Sequence, residues 1–398
     1  MRTIKCLCLA ALGVALVAGD AAGDVASDRA AAIVVFPAVE TLRMAAEDMD
    51  GVAHRVTVDT VIQLSNTSNQ PVRAHCFYVT AVGECSFSGL GCYGEFRCPS
   101  AQDVCLPRWI ETDFEVHLTP RQPVAWRASE GLSRELLPLD GTSIVGPDGS
   151  SNAGTLVPPV PVELVEPEES LFDVAQLFAG ELKCVVVDAA GRGVPRNVLK
   201  GEATVVDHTE SFDPAENEST QRPVVKKYNG IGIQAIEGDV NGDGILELGG
   251  GSNEYNGCAQ TLIAQHNFDS GVVDDFYRTF SALYLLPCTQ DFRLQIPAST
   301  NAQFLVFNEF EQRFSTSRSV DCLFVEFLSA IDTSQSGKSI WNAGVAGTLG
   351  GQTRIRGVQT GLIGILQEGA SGLLDGEAFV HLGLQGDRER TDRITLPQ

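Results

Sequence analysis

The sequence predicts an all-β protein of antiparallel β-sandwich architecture, with few and short helices. Apolar and polar residues alternate with a period of two in several segments, as at Phe114, Val116 and Leu118. This period is typical of strands that have one face buried and one face in water. The apolar run at residues 184–187 instead indicates a strand covered on both faces. Turn-forming segments separate these runs at short intervals, which is typical of a sandwich.

Other elements follow from the same patterns. Phe292, Leu294 and Ile296 also alternate with polar residues, so they predict a further strand. The best helix candidates are residues 170–178 and 274–280, and both are short.

The first residues have the layout of a cleaved secretory signal. Two basic residues precede an apolar run at residues 6–18, and small residues follow it, so cleavage is expected after Gly19 or Gly23. We therefore predict a signal peptide at residues 1–23 and a secreted or extracellular protein, with the periplasm and the cell surface as alternatives. No later apolar stretch approaches the ~20 residues of a membrane-spanning helix, so no membrane span is predicted.

The chain is strongly acidic. Its 398 residues include 51 acidic and 28 basic ones, for a net charge of −23 at pH 7. Such a surface repels the phosphates of nucleic acids, which excludes nucleic acid as a partner. An extracellular protein or a glycan is the expected partner, and the sequence does not indicate an oligomeric state.

The cysteines predict a disulfide framework. Of the eleven cysteines, Cys6 and Cys8 lie in the predicted signal, which leaves nine in a chain bound for an oxidising compartment. Strand-like contexts favour the pairs Cys76 with Cys184 and Cys258 with Cys288. At least one cysteine of the nine is left unpaired or pairs between molecules.

Four more cysteines lie close together in a Gly-rich loop at residues 84–106. The gaps between them are six, five and six residues, unlike the close pairs of a zinc site, so two disulfides are expected. The spacing does not choose among the three possible connectivities. The four residues are Cys85, Cys92, Cys98 and Cys105.

Two sandwich domains are predicted. The N-terminal one covers residues 24–222 and carries the Cys-rich loop and a Gly/Pro-rich loop at residues 129–170, while the C-terminal one covers residues 223–398. The boundary is placed in a polar, acidic segment. A long loop within one sandwich is the alternative interpretation of that segment.

Three phrases resemble those of large secreted bacterial β-rich proteins. They are TVIQLSNTSNQPVRAHCFYV, GELKCVVVDAAG and QFLVFNEFEQRFSTS. This resemblance implies an extracellular location and a β-rich fold, and it implies no activity.

One segment, DVNGDGILE at residues 239–247, has the spacing of a calcium-binding loop. Calcium prefers oxygen ligands, and alternate residues of a tight loop direct their oxygens to one centre. The candidate ligands are the side chains at positions 1, 3, 5 and 9 and the main-chain carbonyl at position 7: Asp239, Asn241, Asp243, Glu247 and Ile245.

The loop departs from the EF-hand pattern at position 12, where it has Gly250 in place of a bidentate Glu. Its spacing instead resembles the calcium-bearing β-hairpin loops of integrin-type extracellular repeats. A plain Asn-Gly or Asp-Gly hairpin is the alternative, since both dipeptides are strong turn formers. Even if it binds calcium, this loop is expected to brace structure and to carry no chemistry.

No catalytic motif stands out, and the six histidines show no metal-ligand spacing. The leading hypothesis is a secreted, disulfide-stabilised, non-enzymatic structural or interaction protein, stabilised by calcium at its loop. One alternative is an extracellular hydrolase with a carboxylate pair, as in glycoside hydrolysis. The other is a carbohydrate-binding module that uses Trp109 or Trp126, although core packing is the commoner role of such rings.

Overall fold

A computed structural model of the chain describes residues 28–47, 53–92, 98–100, 102–106, 108–132, 157–165, 175–213, 218–269, 277–296, 298–332, 339–372 and 376–397. The predicted signal peptide and most of the predicted Gly/Pro-rich loop lie outside the described residues. The described residues form 25 strands and two short helices, arranged in several mainly antiparallel sheets. The predicted all-β, sandwich-like fold is confirmed.

The first thirteen strands form one branched sheet. They are β1 (Ile33–Glu47), β2 (Ala53–Asn66), β3 (Val72–Thr80), β4 (Gly83–Cys85), β5 (Gly91–Cys92), β6 (Cys105–Leu106), β7 (Glu111–Leu118), β8 (Pro123–Arg127), β9 (Glu163–Val165), β10 (Ala175–Val187), β11 (Leu199–Asp213), β12 (Glu218–Asn229) and β13 (Ile231–Ile233).

The main path of this sheet runs β12-β11-β2-β1-β10-β9-β5-β4-β6. It branches where β8 pairs with β2, β3 with β10 and β13 with β1. The register of β1 shifts between Phe36 and Val39. Strand β10 has β1 and β3 as neighbours and is buried along almost its whole length, as the apolar run at residues 184–187 predicts.

The remaining strands form three smaller sheets. A three-stranded sheet has the order β14 (Ile245–Leu248), β25 (Asp392–Thr395), β17 (Gln290–Asp291). A five-stranded sheet has the order β19 (Arg313–Asp321), β18 (Ser299–Asn308), β21 (Gly350–Gly357), β15 (Ala259–Asn267), β24 (Gly383–Asp387). A four-stranded sheet has the order β20 (Phe324–Phe327), β16 (Tyr277–Pro287), β22 (Leu362–Gly372), β23 (Gly376–His381).

The two central strands of the four-stranded sheet, β16 and β22, are buried on both faces over most of their length. In β16, Leu283 and Leu285 pack into a core shared with the five-stranded sheet. The alternate residues Tyr284 and Leu286 pack into the core of the thirteen-stranded sheet. Because successive side chains of a strand point to opposite faces, the continuous apolar run in β16 lets this sheet serve as a middle layer.

The larger core cluster includes side chains from both predicted domains, from Ala32 to Leu396. Strand β12 crosses the predicted boundary between residues 222 and 223. The division into two domains stays a prediction.

The two helices are α1 (Leu328–Ile331) and α2 (Ala343–Ala346), each a single turn. Both helix candidates from the sequence are wrong in their described parts. Residues 175–178 belong to β10 and residues 277–280 to β16, where ladder pairing outweighs local helix preference. No helix among the described residues has the length and apolar character needed to cross a bilayer.

The strand predicted through Phe292, Leu294 and Ile296 is also wrong. The regular strand ends at Asp291, and its side-chain Oδ1 accepts a 2.9 Å hydrogen bond from the backbone N–H of Leu294. Gln295 then adopts a left-handed conformation, with φ of 52°. The segment is therefore a tight turn that buries Phe292 and leaves the other two apolar side chains exposed.

Candidate functional site

Four disulfides brace the fold. Cys76 pairs with Cys184 between β3 and β10, and Cys258 pairs with Cys288, so both predicted long-range pairs are confirmed. Among the described cysteines, Cys322 is the one left free, and it is buried. Burial raises the pKa of the Cys322 thiol to about 12, so the thiolate that reacts with oxidants is disfavoured.

Two of the four disulfides lie within the Cys-rich loop. Cys85 pairs with Cys98, and Cys92 pairs with Cys105. Asp103 adds a polar clamp, because its carboxylate accepts hydrogen bonds from the backbone N–H groups and the hydroxyls of residues 86–88. The described backbone of this loop is therefore held by covalent and polar contacts together.

This braced loop carries large apolar side chains that face solvent. Phe87 is 79% exposed, and Val104 and Leu106 are more than half exposed. Leu164 of β9, a strand of the same sheet, is 53% exposed as well. Exposed apolar groups held on a rigid support are a common feature of protein interaction sites.

The calcium-type loop has a self-satisfied backbone. The Asp239 carboxylate accepts hydrogen bonds from the N–H groups of Gly242 at 2.8 Å and Gly244 at 3.0 Å. Both glycines have φ near +70°, a conformation that side-chain-bearing residues rarely adopt. Asp239 thereby closes the loop at its centre.

Two further side chains cap the same loop. Asn241 Oδ1 accepts from the N–H of Asp243 at 3.0 Å, and Asp243 Oδ1 accepts from the N–H of Ile245 at 2.8 Å. Ile245 begins β14, which pairs with β25, whereas the preceding strand β13 pairs with β1. The loop therefore links two different sheets and does not close a hairpin, so the hairpin expected in both sequence interpretations is wrong.

The structure adds one acidic residue to this region. Glu254 is buried, and its Oε2 accepts a 2.9 Å hydrogen bond from the N–H of Glu247. Burial raises the pKa of Glu254, and the charges of Asp239 and Glu247 act in the same direction. Glu247 itself points one carboxylate oxygen at the Arg393 guanidinium, at 3.2 Å. Glu254 lies seven residues beyond the predicted loop, so the local spacing gave no signal for it.

The loop does not bring three carboxylates to one point. In the described part of the chain, only two sets of three Cys, His, Asp or Glu side chains have ligand atoms within 4.8 Å of one another, and both consist mainly of disulfide cysteines. A calcium ion at the loop would also need the amide oxygen of Asn241 and the carbonyl of Ile245. These hard oxygen donors are of the type that calcium prefers.

A cleft of about 770 Å³ opens at one end of the five-stranded sheet. Its lining includes His266, Glu309, Glu311, Arg354 and Glu368. Burial raises the pKa of Glu368, although its two oxygens accept hydrogen bonds from Asn267 at 3.0 and 3.4 Å that favour the charged form. The cleft thus places a carboxyl of raised proton affinity near two other acidic residues.

The two tryptophans proposed for sugar stacking take part in core packing. Trp126 is 3% exposed, and its indole donates a 2.6 Å hydrogen bond to the Tyr78 hydroxyl. Trp109 is partly buried and packs edge-on against Phe292. Neither ring forms an exposed platform of the kind that stacks on a sugar.

Comparison with known proteins adds no family. No protein-family model matches this chain, and no curated protein and no solved structure is significantly similar to it.

Proposed function

We propose that this chain is an exported, non-enzymatic structural or interaction protein that binds an extracellular protein or glycan. The observation that carries the proposal is the Cys-rich loop, where two disulfides hold apolar side chains out in solvent. Disulfides form and persist in oxidising compartments, which supports export. Covalent bracing lowers the entropy that a binding loop loses when it meets a partner.

Export is tested by N-terminal sequencing of the protein recovered outside the cytoplasm. Cleavage of the signal gives a mature chain that begins at Asp24 or Asp20. An N-terminus at Met1 in the recovered protein contradicts export.

The interaction role is tested by photo-crosslinking on the cells that export the protein. A photo-reactive amino acid replaces Phe87, and light then joins it to any partner in contact. A matched control places the same group at Phe310, which is 69% exposed but far from any disulfide in the sequence. The proposal expects one discrete adduct from position 87 and none from position 310. Equal labelling from the two positions, or no adduct from either, contradicts it.

We also propose that calcium braces the loop at residues 239–247. The observation behind this is the spacing of five oxygen donors along one tight loop, which the Asp239 carboxylate closes. Oxygen donors of this kind are the ligands that calcium prefers. The ligands would be Asp239, Asn241, Asp243, Glu247 and the carbonyl of Ile245, at the weak affinity typical of extracellular modules.

Thermal unfolding with calcium, with magnesium and with a chelator tests this site. Calcium at millimolar concentration is expected to raise Tm, and Asp243→Ala is expected to abolish that rise. Asp291→Ala is the matched control, because Asp291 also uses Oδ1 to cap a backbone N–H in a turn. The calcium proposal is contradicted if calcium leaves the wild-type Tm unchanged. It is also contradicted if Asp291→Ala abolishes the calcium-induced rise in Tm as Asp243→Ala does.

A hydrolase is the second candidate, favoured by one observation. Glu368 has a raised pKa inside the cleft that Glu309 and Glu311 also line, which suits the general acid of a carboxylate pair. Chromogenic aryl glycosides test it: a hydrolase loses its turnover in Glu368→Gln and keeps its fold. No turnover by the wild-type protein across such a panel leaves the non-enzymatic proposal in place.

A further inference from the structure

Three polar side chains are fully buried where the thirteen-stranded and three-stranded sheets meet. Glu181 and Lys183 project from the same face of β10, because they lie two residues apart in one strand. Gln290 belongs to β17. Each of the three is 1% exposed.

One carboxylate lies between an amine and a carboxamide. Lys183 Nζ is 3.6 Å from Glu181 Oε2, and Gln290 Nε2 donates a hydrogen bond to Glu181 Oε1. Among the described residues, Glu181 Oε2 and the carbonyl oxygen of Gln290 receive no hydrogen bond. Buried polar atoms without partners are costly, so this cluster needs an explanation beyond packing.

An aromatic ring lies next to the amine. Lys183 Nζ lies 5.4 Å from the centre of the Phe292 ring, which stacks on Phe77 and meets Trp109 edge-on. Burial lowers the pKa of Lys183, while the nearby Glu181 opposes that shift. A neutral lysine amine has a free lone pair and is a nucleophile.

We propose that Lys183 and Gln290 condense into an intramolecular isopeptide bond with Glu181 as the proton carrier. The lone pair of Lys183 Nζ adds to Cδ of Gln290, and the bond from Cδ to Nε2 then breaks. Glu181 accepts a proton from Nζ and delivers it to the departing Nε2. One C–N bond forms, one C–N bond breaks and ammonia leaves, so the step needs no oxidant, reductant or added reactant.

The bond has a clear structural consequence. It joins β10 of the large sheet to β17, which pairs with β25 close to the end of the chain. The disulfides are also covalent cross-links between distant parts of the chain, but reducing agents cleave them. Reducing agents do not cleave an amide bond. The protein therefore keeps one long-range covalent tie in a reducing environment.

A second cluster of the same residue types serves as an internal comparison. Lys226 Nζ lies 2.9 Å from Glu377 Oε2, and Gln367 Nε2 donates to the same oxygen at 2.7 Å. The Glu377 side chain is 24% exposed, against 2% for Glu181, and the Gln367 carbonyl oxygen accepts from the Tyr284 hydroxyl. The Gln367 carbonyl is therefore already held by another partner and the carboxylate is open to solvent, so this cluster is expected to remain uncondensed.

Mass spectrometry of the full mature chain, reduced and alkylated, tests the proposal. The wild-type mass is expected to be lower than the sequence mass by one ammonia. Proteolytic peptides should contain Lys183 and Gln290 covalently joined. Lys183→Arg should restore the full mass, whereas the control Lys226→Arg should keep the loss of one ammonia.

Several results overturn the proposal. One is a wild-type chain with the full sequence mass. Another is a mass loss of one ammonia that maps to Lys226 and Gln367. The third is a mass loss of one water in a peptide that joins Glu181 to Lys183. Because the peptide map is made on the wild-type protein, the outcome does not depend on whether Lys183→Arg folds.

Discussion

His266 Nε2 lies 2.8 Å from the hydroxyl of Thr353, inside the core of the five-stranded sheet. The same hydroxyl accepts a 3.1 Å hydrogen bond from the Trp341 indole N–H. The hydroxyl can then donate its own proton to His266 Nε2, which requires a neutral imidazole with its proton on Nδ1. Burial also favours the neutral imidazole, because it lowers the pKa of His266 to about 4.

This arrangement predicts acid sensitivity. Between pH 6.5 and pH 4 the unfolded chain binds a proton at His266 that the folded chain refuses, so the free energy of unfolding falls as pH falls. The contribution is about 3 kcal/mol over that window. His266→Gln should flatten the pH dependence of chemical denaturation there, and His208→Gln, at a more exposed histidine, should not. Parallel profiles for wild type and His266→Gln contradict the prediction.

The hydrogen bond from Trp126 to Tyr78 predicts strong coupling between these residues. Trp126→Phe leaves a buried hydroxyl without its donor and should cost about 1–3 kcal/mol of unfolding free energy. In a Tyr78→Phe background the same change should cost less, since no unpaired hydroxyl remains. Equal costs in the two backgrounds, measured by urea denaturation, contradict the coupling.

The Asp103 clamp predicts local loosening without global unfolding. Asp103→Ala removes the acceptor for the N–H groups of Phe87 and Ser88, so their amide hydrogens should exchange faster with solvent. The amides of β10 should exchange at the wild-type rate. Unchanged exchange at residues 87 and 88 would show that the disulfides alone hold the loop.

Strand content and the two long-range disulfides could be predicted from the sequence, because period-two alternation and cysteines in strand contexts are local signals. The turn after Asp291 could not be predicted, since its apolar residues alternate as those of a strand do. The Asp291 cap and the left-handed conformation of Gln295 are visible in the structure alone. The roles of Glu254 and Gln290 could not be predicted for another reason. Glu254 contacts the calcium-type loop, and Gln290 contacts Glu181, only because the chain folds back on itself. The spacing of residues along the chain does not indicate such contacts.

The disulfide pattern tests the central claim of an exported β-protein held by four cross-links. A peptide map of the unreduced protein should contain Cys76 joined to Cys184, Cys85 to Cys98, Cys92 to Cys105 and Cys258 to Cys288. Thiol labelling should find Cys322 alone, and only after the chain is denatured. Several thiols that react in the native protein, or peptides joined in another pattern, would contradict the account.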